Sequence, residues 1–456
     1  MTRPRFQLLL CALVLGTALR QAEAGAAAQC EEPSTPIRHL VVLMQQNHTF
    51  DNYFGTYPGA DGTRHETCVP IEPANPHSTE CVEPFHLGQY PDLSHSRNTF
   101  IHQYNGGRMD GFVSAHEIEG QDGTLALGYY DDRDLPYYWN LADEYVLFDR
   151  FFSSAHSGSV DNRMYWVAGV SAGGSDGSSR AYPDRPTIFD RLEEKGIEWK
   201  FYVRNFDPSL NYRNVGSAGM LEPQVQWLPL LSMDRFIDDP KLSSRIVDME
   251  EFYEDVRRGT LPAVSYVMAL GASEHPPSNL QGGQRVTKSM IQALMQSEAW
   301  DASAFLLTYD DWGGWYDHVV PPQIDGSGYG FRVPALLVSP YARRGYVDHT
   351  ELDFASILRF IEDNWGLRPL ARRDARANSI AGAFDFARPP REPRVIPWER
   401  FSSTDRQEPR RGVIYASYGA AVALAALILA WAAHVAPETD RRSVHPFSGP
   451  TGAGGP

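Results

Sequence analysis

Short, mainly apolar runs recur along the chain, and most of them break into a cluster of polar residues. Residues 37–44 (IRHLVVLM), 145–152 (YVLFDRFF), 199–203, 263–268, 304–309 (AFLLTY) and 333–338 have the length and composition of buried strands. Between them lie stretches with helical character: 136–143, the segment RMYWVAGV opened by Asn162 and Arg163, 187–195 with a Thr187 cap and a Gly196 stop, 249–258, 287–297 and 355–364. Strand and helix in alternation predict an α/β fold around a largely parallel sheet. Residues 59–89 and 205–260 lack periodicity and read as irregular apart from the 249–258 helix.

Two further apolar segments have another character. Arg3 and Arg5 precede an apolar run over 6–19, and Ala22-Glu23-Ala24 follows, so residues 1–24 read as a secretory signal peptide. Residues 413–435 carry no Lys, Arg, Asp or Glu, and 23 residues at about 1.5 Å each span roughly 34 Å, enough to cross a bilayer core. That predicts a C-terminal transmembrane helix, with 376–411 as an Arg- and Pro-rich juxtamembrane linker and 436–456 as a cytoplasmic tail. The expectation is an exported protein held at the cell membrane by a single span, its bulk on the extracytoplasmic side.

A chain of 456 residues with 42% hydrophobic content supports a large core without disulfide stapling. The formal charge of −16 excludes a nucleic-acid partner, and an anionic substrate requires a locally positive pocket. Once Cys11 leaves with the signal, Cys68 and Cys81 are the expected disulfide, and Cys30 is left as a free or intermolecular thiol.

The chemistry concentrates where the strands end. Asp310 and Asp311 follow the 304–309 strand directly, then Gly313 and Gly314 free the backbone. Ligands bind at the carboxyl ends of strands in open α/β sheets, and two adjacent acids there need either a shared proton or a cation between them. The first strand runs into Gln46, Asn47 and His48. Asp92 and His95 form a further polar group, and Glu274 and His275 close the 263–268 strand. Ser159 sits at a strand-to-helix break, where helix N-terminal amides favour a phosphate oxygen, although a serine N-cap gives the same pattern.

Five ordered segments, MQQNHTFDNYFG, YNGGRMDGF, SGSVDNR, SEHPP and TYDDWGGWYDHVVPP, resemble the phosphoesterase family of bacterial non-haemolytic phospholipases C and related acid phosphatases, over residues 36–375. The resemblance implies an alkaline-phosphatase-like three-layer α/β/α sandwich that hydrolyses phosphate esters with a divalent metal ion. Residue by residue it implies Ser159 as nucleophile, a metal shell of Asn47, Asp310 and Asp311 with Gln46, and His95, His275 and His349 around the departing oxygen. Arg163 and Asn162 become substrate-binding residues. The chain departs from the family pattern at Gln46, where Glu is usual, at Asp311, also usually Glu, and at Ser273, usually Asp. Three readings follow: a phospholipase C-like enzyme with phospholipid among its phosphate-ester substrates, an acid phosphatase, and a non-catalytic binder of a phosphorylated ligand suggested by the neutral Gln46.

Overall fold

A computed structural model describes residues 32–63, 66–88, 91–173, 182–214, 222–400, 423–431 and 434. The main compact unit extends to Arg400. Its centre is an eight-stranded mixed sheet of β1 (His39–Gln45), β2 (Val146–Phe148), β3 (Trp199–Val203), β4 (Ile246–Asp248), β5 (Val264–Met268), β6 (Ser303–Tyr309), β7 (Ala335–Val338) and β8 (Tyr346–Asp348), in the order β8-β2-β7-β6-β1-β5-β3-β4. β1 lies between β6 and β5, parallel to both, and β7 runs against its two neighbours.

The helices of the unit include α1 (Phe50–Phe54), α2 (Arg97–Tyr104), α3 (Pro136–Glu144), α4 (Ser159–Ala168), α5 (Ile188–Lys195), α6 (Leu280–Met295) and α7 (Phe354–Trp365). All seven residues of β6 are buried, as the uncharged run requires of a strand covered on both faces. Helices α4 and α7 pack on one another in one group, and α6 packs on α3 in another. α5 shows its sequence logic plainly: Thr187 and Asp190 form a capping box, and Gly196 stops the helix at φ 69°.

Most expected elements fall within one or two residues of their positions; the 145–152 run forms a strand only over Val146–Phe148, the helix expected from Asn162 begins at Ser159, and three others differ in kind. The 333–338 run forms β7, which is antiparallel to both of its neighbours in a sheet that the alternation of elements predicts as largely parallel. β4 lies inside the stretch that reads as irregular. α6 begins seven residues before 287, across Gly282 and Gly283, which argue against helix in sequence terms. Gly283 is there because a Cβ would sit 2.0 Å from Glu274 Oε1.

Cys68 and Cys81 are joined in a disulfide beside a short antiparallel pairing of Val69–Pro70 with Cys81–Val82. Residues 376–400 run along the unit, where Trp398 stacks on Tyr137 and Arg391 pairs with Glu144. The signal segment 1–24, Cys30 and most of the expected span 413–435 lie outside the described residues. Of that span only 423–431 and 434 are described, as helix, and among the described residues no helix is long and apolar enough to cross a membrane.

Candidate active site

Register brings the site together. Gln45 at the end of β1 is the partner of Tyr309 at the end of β6, so Gln46 and Asn47 leave the sheet beside Asp310 and Asp311. The pairing continues past the strands: Asp310 N donates to Gln45 O (3.1 Å), His48 N to Asp311 O (3.1 Å), and Gln46 N to Ser273 O (2.9 Å). The loop after β5 is thereby tied to the same strand ends. Asn47 takes a left-handed φ of 64°, a conformation asparagine tolerates, and Gly313 packs so tightly on it that a Cβ would meet Asn47 O at 2.2 Å.

Ser159 is the first residue of α4 and is buried. Its Oγ donates to Asp311 Oδ2 (3.0 Å), while Asp311 Oδ1 accepts Gly313 N (2.8 Å), which fixes the carboxylate plane. Ser159 and Asp311 are distant in sequence, and their contact puts a hydroxyl against the acidic pair at the positive end of a ten-residue helix.

The charge conflict between Asp310 and Asp311 is relieved first by a side chain. Arg163, fully buried on α4, pairs through Nε with Asp310 Oδ2 (2.9 Å) and donates from Nη1 to Trp227 O (3.2 Å). The other Asp310 oxygen accepts Asn47 N (3.2 Å) and Asp311 N (2.9 Å). Arg163 is thus committed to an ion pair, with Nη2 buried and lacking a hydrogen-bond partner. Asn162 also points inward: its Oδ1 accepts Ser154 N and Ala155 N, and its Nδ2 donates to Ser157 O and Gly158 O. Both amide ends are spent on the loop before Ser159, so Asn162 shapes that loop instead of reaching a substrate.

Gln46 and Asn47 supply the test for a metal ion. Gln46 is 1% exposed and Asn47 0%, and Gln46 Oε1 and Nε2 and Asn47 Oδ1 have no hydrogen-bond partner. Buried amides in that state cost free energy that a coordinated cation would recover. Amide and carboxylate oxygens suit a hard divalent ion, so these residues fit the group that the family implies.

His95 and His275 come together beside this cradle. Their ring centroids are 6.2 Å apart, Asp92 lies between them, and His95 Nε2 is 3.4 Å from Asn47 Nδ2. His349 is placed elsewhere: its Nδ1 contacts the Asp149 carboxylate (2.8 Å), its side chain is 61% exposed, and no contact links it to Ser159 among the described residues.

Two buried networks escape the sequence reading. Glu274, fully buried with φ 64°, accepts hydroxyls from Tyr53 and Tyr309 (2.6 Å each) and from Tyr138. Burial pushes its carboxyl up to about 7 in spite of these donors. A carboxyl with a raised folded pKa contributes stability that is complete below its unfolded value near 4.5 and is lost as pH rises through about 7. Glu274→Gln therefore flattens the pH dependence of unfolding free energy between pH 5 and 8 and makes the protein more stable than wild type at pH 8 by about 2–3 kcal/mol. Parallel curves for the two proteins in urea titrations would contradict this. The second network joins Arg332 to Asp317, Asp51 and His318. The only sequence signal for either was the density of Tyr and Asp-His residues in the motifs themselves.

The Phosphoesterase family model matches residues 37–368. "Phospholipase C B" of Mycobacterium tuberculosis is 30% identical over 433 residues, covering 81% of each chain. "Non-specific phospholipase C3" of Arabidopsis thaliana is 27% identical, covering 78% of this chain and 75% of its own. Among solved structures, a phosphonate monoester hydrolase of Agrobacterium radiobacter aligns over 76% of this chain and 77% of its own at 13% identity, with a TM-score of 0.39. A family match over most of the chain, together with a relative at this identity and coverage, is decisive: the chain belongs to the phosphoesterase family, hydrolases that act on phosphate-ester bonds.

Proposed function

We propose that the protein is a phospholipase C-like phosphoesterase that works through Ser159 as nucleophile and a phosphoserine intermediate. The observation carrying this reading is the 3.0 Å contact of Ser159 Oγ with Asp311 beside the partnerless amides of Gln46 and Asn47. Asp311 Oδ2 is placed to hold the hydroxyl proton as Oγ attacks phosphorus, and the N-terminus of α4 favours the negative oxygens gathered there. A divalent ion held by Asn47, Asp311 and Gln46, with Asp310 shared with Arg163, would lower the serine pKa and screen the phosphate charge. The departing oxygen leaves on the side that His95 and His275 face. Turnover of p-nitrophenyl phosphorylcholine by the purified protein, loaded with a divalent ion, supports the phospholipase C-like reading. Turnover of p-nitrophenyl phosphate alone points to an acid phosphatase, and no turnover of either with any divalent ion points to a binder.

The neutral Gln46 weakens the cation cradle by one negative charge relative to the usual family pattern. Gln46→Glu is expected to tighten divalent-ion binding by roughly tenfold, since ligand charge count tunes affinity in oxygen sites. Calorimetric titration of the metal-stripped proteins checks it, and equal affinities would remove Gln46 from the shell.

Export and a membrane tether belong to the same reading, supported by the apolar run 413–435 and the leader 1–24. The full chain should stay with the membrane pellet through alkaline carbonate washing, and a chain ending at residue 411 should not. Release of the full chain by carbonate would refute the tether.

A further inference from the structure

The turn that carries Asp311 has no regular structure to hold it. Residues 310–314 leave β6 without entering a helix, and Gly313 and Gly314 follow one another at φ 60° and 86°, so the backbone there has little stiffness of its own. Asp311 nevertheless turns one oxygen to Ser159 and the other to Gly313 N. Keeping that plane requires a group outside the turn.

That group is Gln103, on the buried face of α2 with Thr99 and Phe100. Its Oε1 accepts Trp312 Nε1 (2.7 Å) and its Nε2 donates to Gly314 O (2.9 Å), so one amide spans the turn from the residue after Asp311 to the second glycine. Gly314 O also lies 2.8 Å from Nε2 of His116, on the 112–118 helix. Gln103 and Trp312 are both 0% exposed, and the indole stands edge-on to Phe100 at 5.5 Å. Without the Gln103 amide, the indole donor would be buried and unpaired, and Gly314 O would keep only the His116 contact.

The same helix reaches the histidine side of the site. Ser96 caps α2 and His95 precedes it directly, and a Cβ on Gly314 would meet Ser94 O at 2.8 Å and Leu93 Cβ at 2.7 Å. The turn therefore lies flat against the segment leading to His95. Through Gln103, the acid at the end of β6 and the histidine at the foot of α2 are fixed to one another.

We propose that Gln103 is a positioning residue, which sets the Asp311 carboxylate against Ser159 and the cation cradle by holding Trp312 and Gly314. The inference rests on the reading of Asp311 as a cradle residue. Removing a partner that stands one bond behind a ligand costs roughly tenfold to a hundredfold in metal affinity or activity. A buried amide of the same chemistry elsewhere supplies the control. Gln284, also 0% exposed, accepts Tyr137 N at Oε1 (3.3 Å) and donates from Nε2 to Asp134 O (2.8 Å), and neither bond reaches the Asp311 turn.

The test is cation binding by the full chain, read apart from turnover. Chelator-stripped Gln103→Leu should bind Mn²⁺ at least about tenfold more weakly than wild type in calorimetric titration, whereas Gln284→Leu should bind as wild type does. Asp311→Asn should bind weakly, and adding Gln103→Leu to it should change affinity by less than about twofold, because a residue that acts through Asp311 has nothing left to act on. With the ion saturating, Gln103→Leu should lower kcat on p-nitrophenyl phosphorylcholine by roughly tenfold to a hundredfold and leave KM within about twofold. Trp312→Phe keeps a ring and deletes one bond of the latch; its Mn²⁺ affinity should fall by about threefold or more, which reads the same latch if Gln103→Leu does not fold. Wild-type Mn²⁺ affinity in Gln103→Leu or Trp312→Phe, an equal loss in Gln284→Leu, or a full further loss on top of Asp311→Asn overturns the proposal. Asp311→Asn that binds Mn²⁺ like wild type removes the cradle itself and this inference with it. A Ser159→Ala protein that still turns over substrate sinks the nucleophile and leaves the latch standing.

Discussion

Ser159→Ala is expected to lower kcat on p-nitrophenyl phosphorylcholine by about four orders of magnitude or more, the scale seen when a covalent nucleophile is removed. The change removes one oxygen from the first turn of α4, and with it a single hydrogen bond to Asp311. Folding and cation binding should survive, because neither the Arg163–Asp310 pair nor the amides of Gln46 and Asn47 depend on that hydroxyl. Melting curves and metal content that match wild type, beside lost turnover, therefore distinguish a chemical role from a structural one. Acid-quenched wild-type protein should carry phosphate on the peptide containing Ser159, and the variant should carry none. A variant that keeps more than about a tenth of wild-type kcat would remove Ser159 from the chemistry altogether, since general acid–base effects alone are usually larger than that.

The largest loss of stability is expected at Arg332. Its side chain is fully buried, with Nε donating to Asp317 Oδ1 (2.9 Å), Nη2 to Asp51 Oδ1 (2.9 Å) and Nη1 to Asp149 O (2.8 Å), and its guanidinium lies over the Phe50 ring. Burial pushes Asp317 up to about 6 even with the arginine present, whereas for Asp51 the arginine and His318 outweigh burial and hold the carboxyl below its usual range. Arg332→Met leaves two buried carboxylates facing each other without a counter-charge, which costs on the order of 3–5 kcal/mol. Replacing both acids in the same protein, as Arg332→Met with Asp51→Asn and Asp317→Asn, should recover much of the loss, because the penalty lies in the stranded charges. Urea unfolding midpoints of wild type and the two variants decide the matter. A single variant within about 1 kcal/mol of wild type would show that water or protonation already relieves the cluster.

What the sequence made legible follows from range. β1, β5 and β6 are visible as uncharged runs because each strand is covered on both faces, so local composition carries the whole signal. The clusters at Asn47 and Asp310 are visible for a related reason, since polar residues follow directly where β1 and β6 stop, and those at Ser159 and His275 lie in the loops that follow β2 and β5. Pairing was not visible. The acidic pair reads as demanding a cation, and the nearest positive charge in the structure is Arg163, 147 residues away, which no local pattern assigns. Asn162 reads as a ligand for substrate and instead closes the loop over 154–158. His349, placed by resemblance with His95 and His275, stands apart from them on Asp149, because a histidine close to the end of a short edge strand has little local context to fix its direction. The Gly282-Gly283 step hid the start of α6 for the opposite reason: helix propensity is local, and the close approach of Glu274 is tertiary.

The pairing of Gln45 with Tyr309 also bears on how such a centre can change over time. An insertion or deletion of one residue in either β1 or β6 would carry the following side chains to the opposite face of the sheet, about 3.3 Å along the strand. No partial displacement exists between the two settings. Variation at this edge is therefore confined to swapping one side chain for another in place, as at Gln46 and Asp311, while the length of the two strands is held constant by the chemistry at their tips.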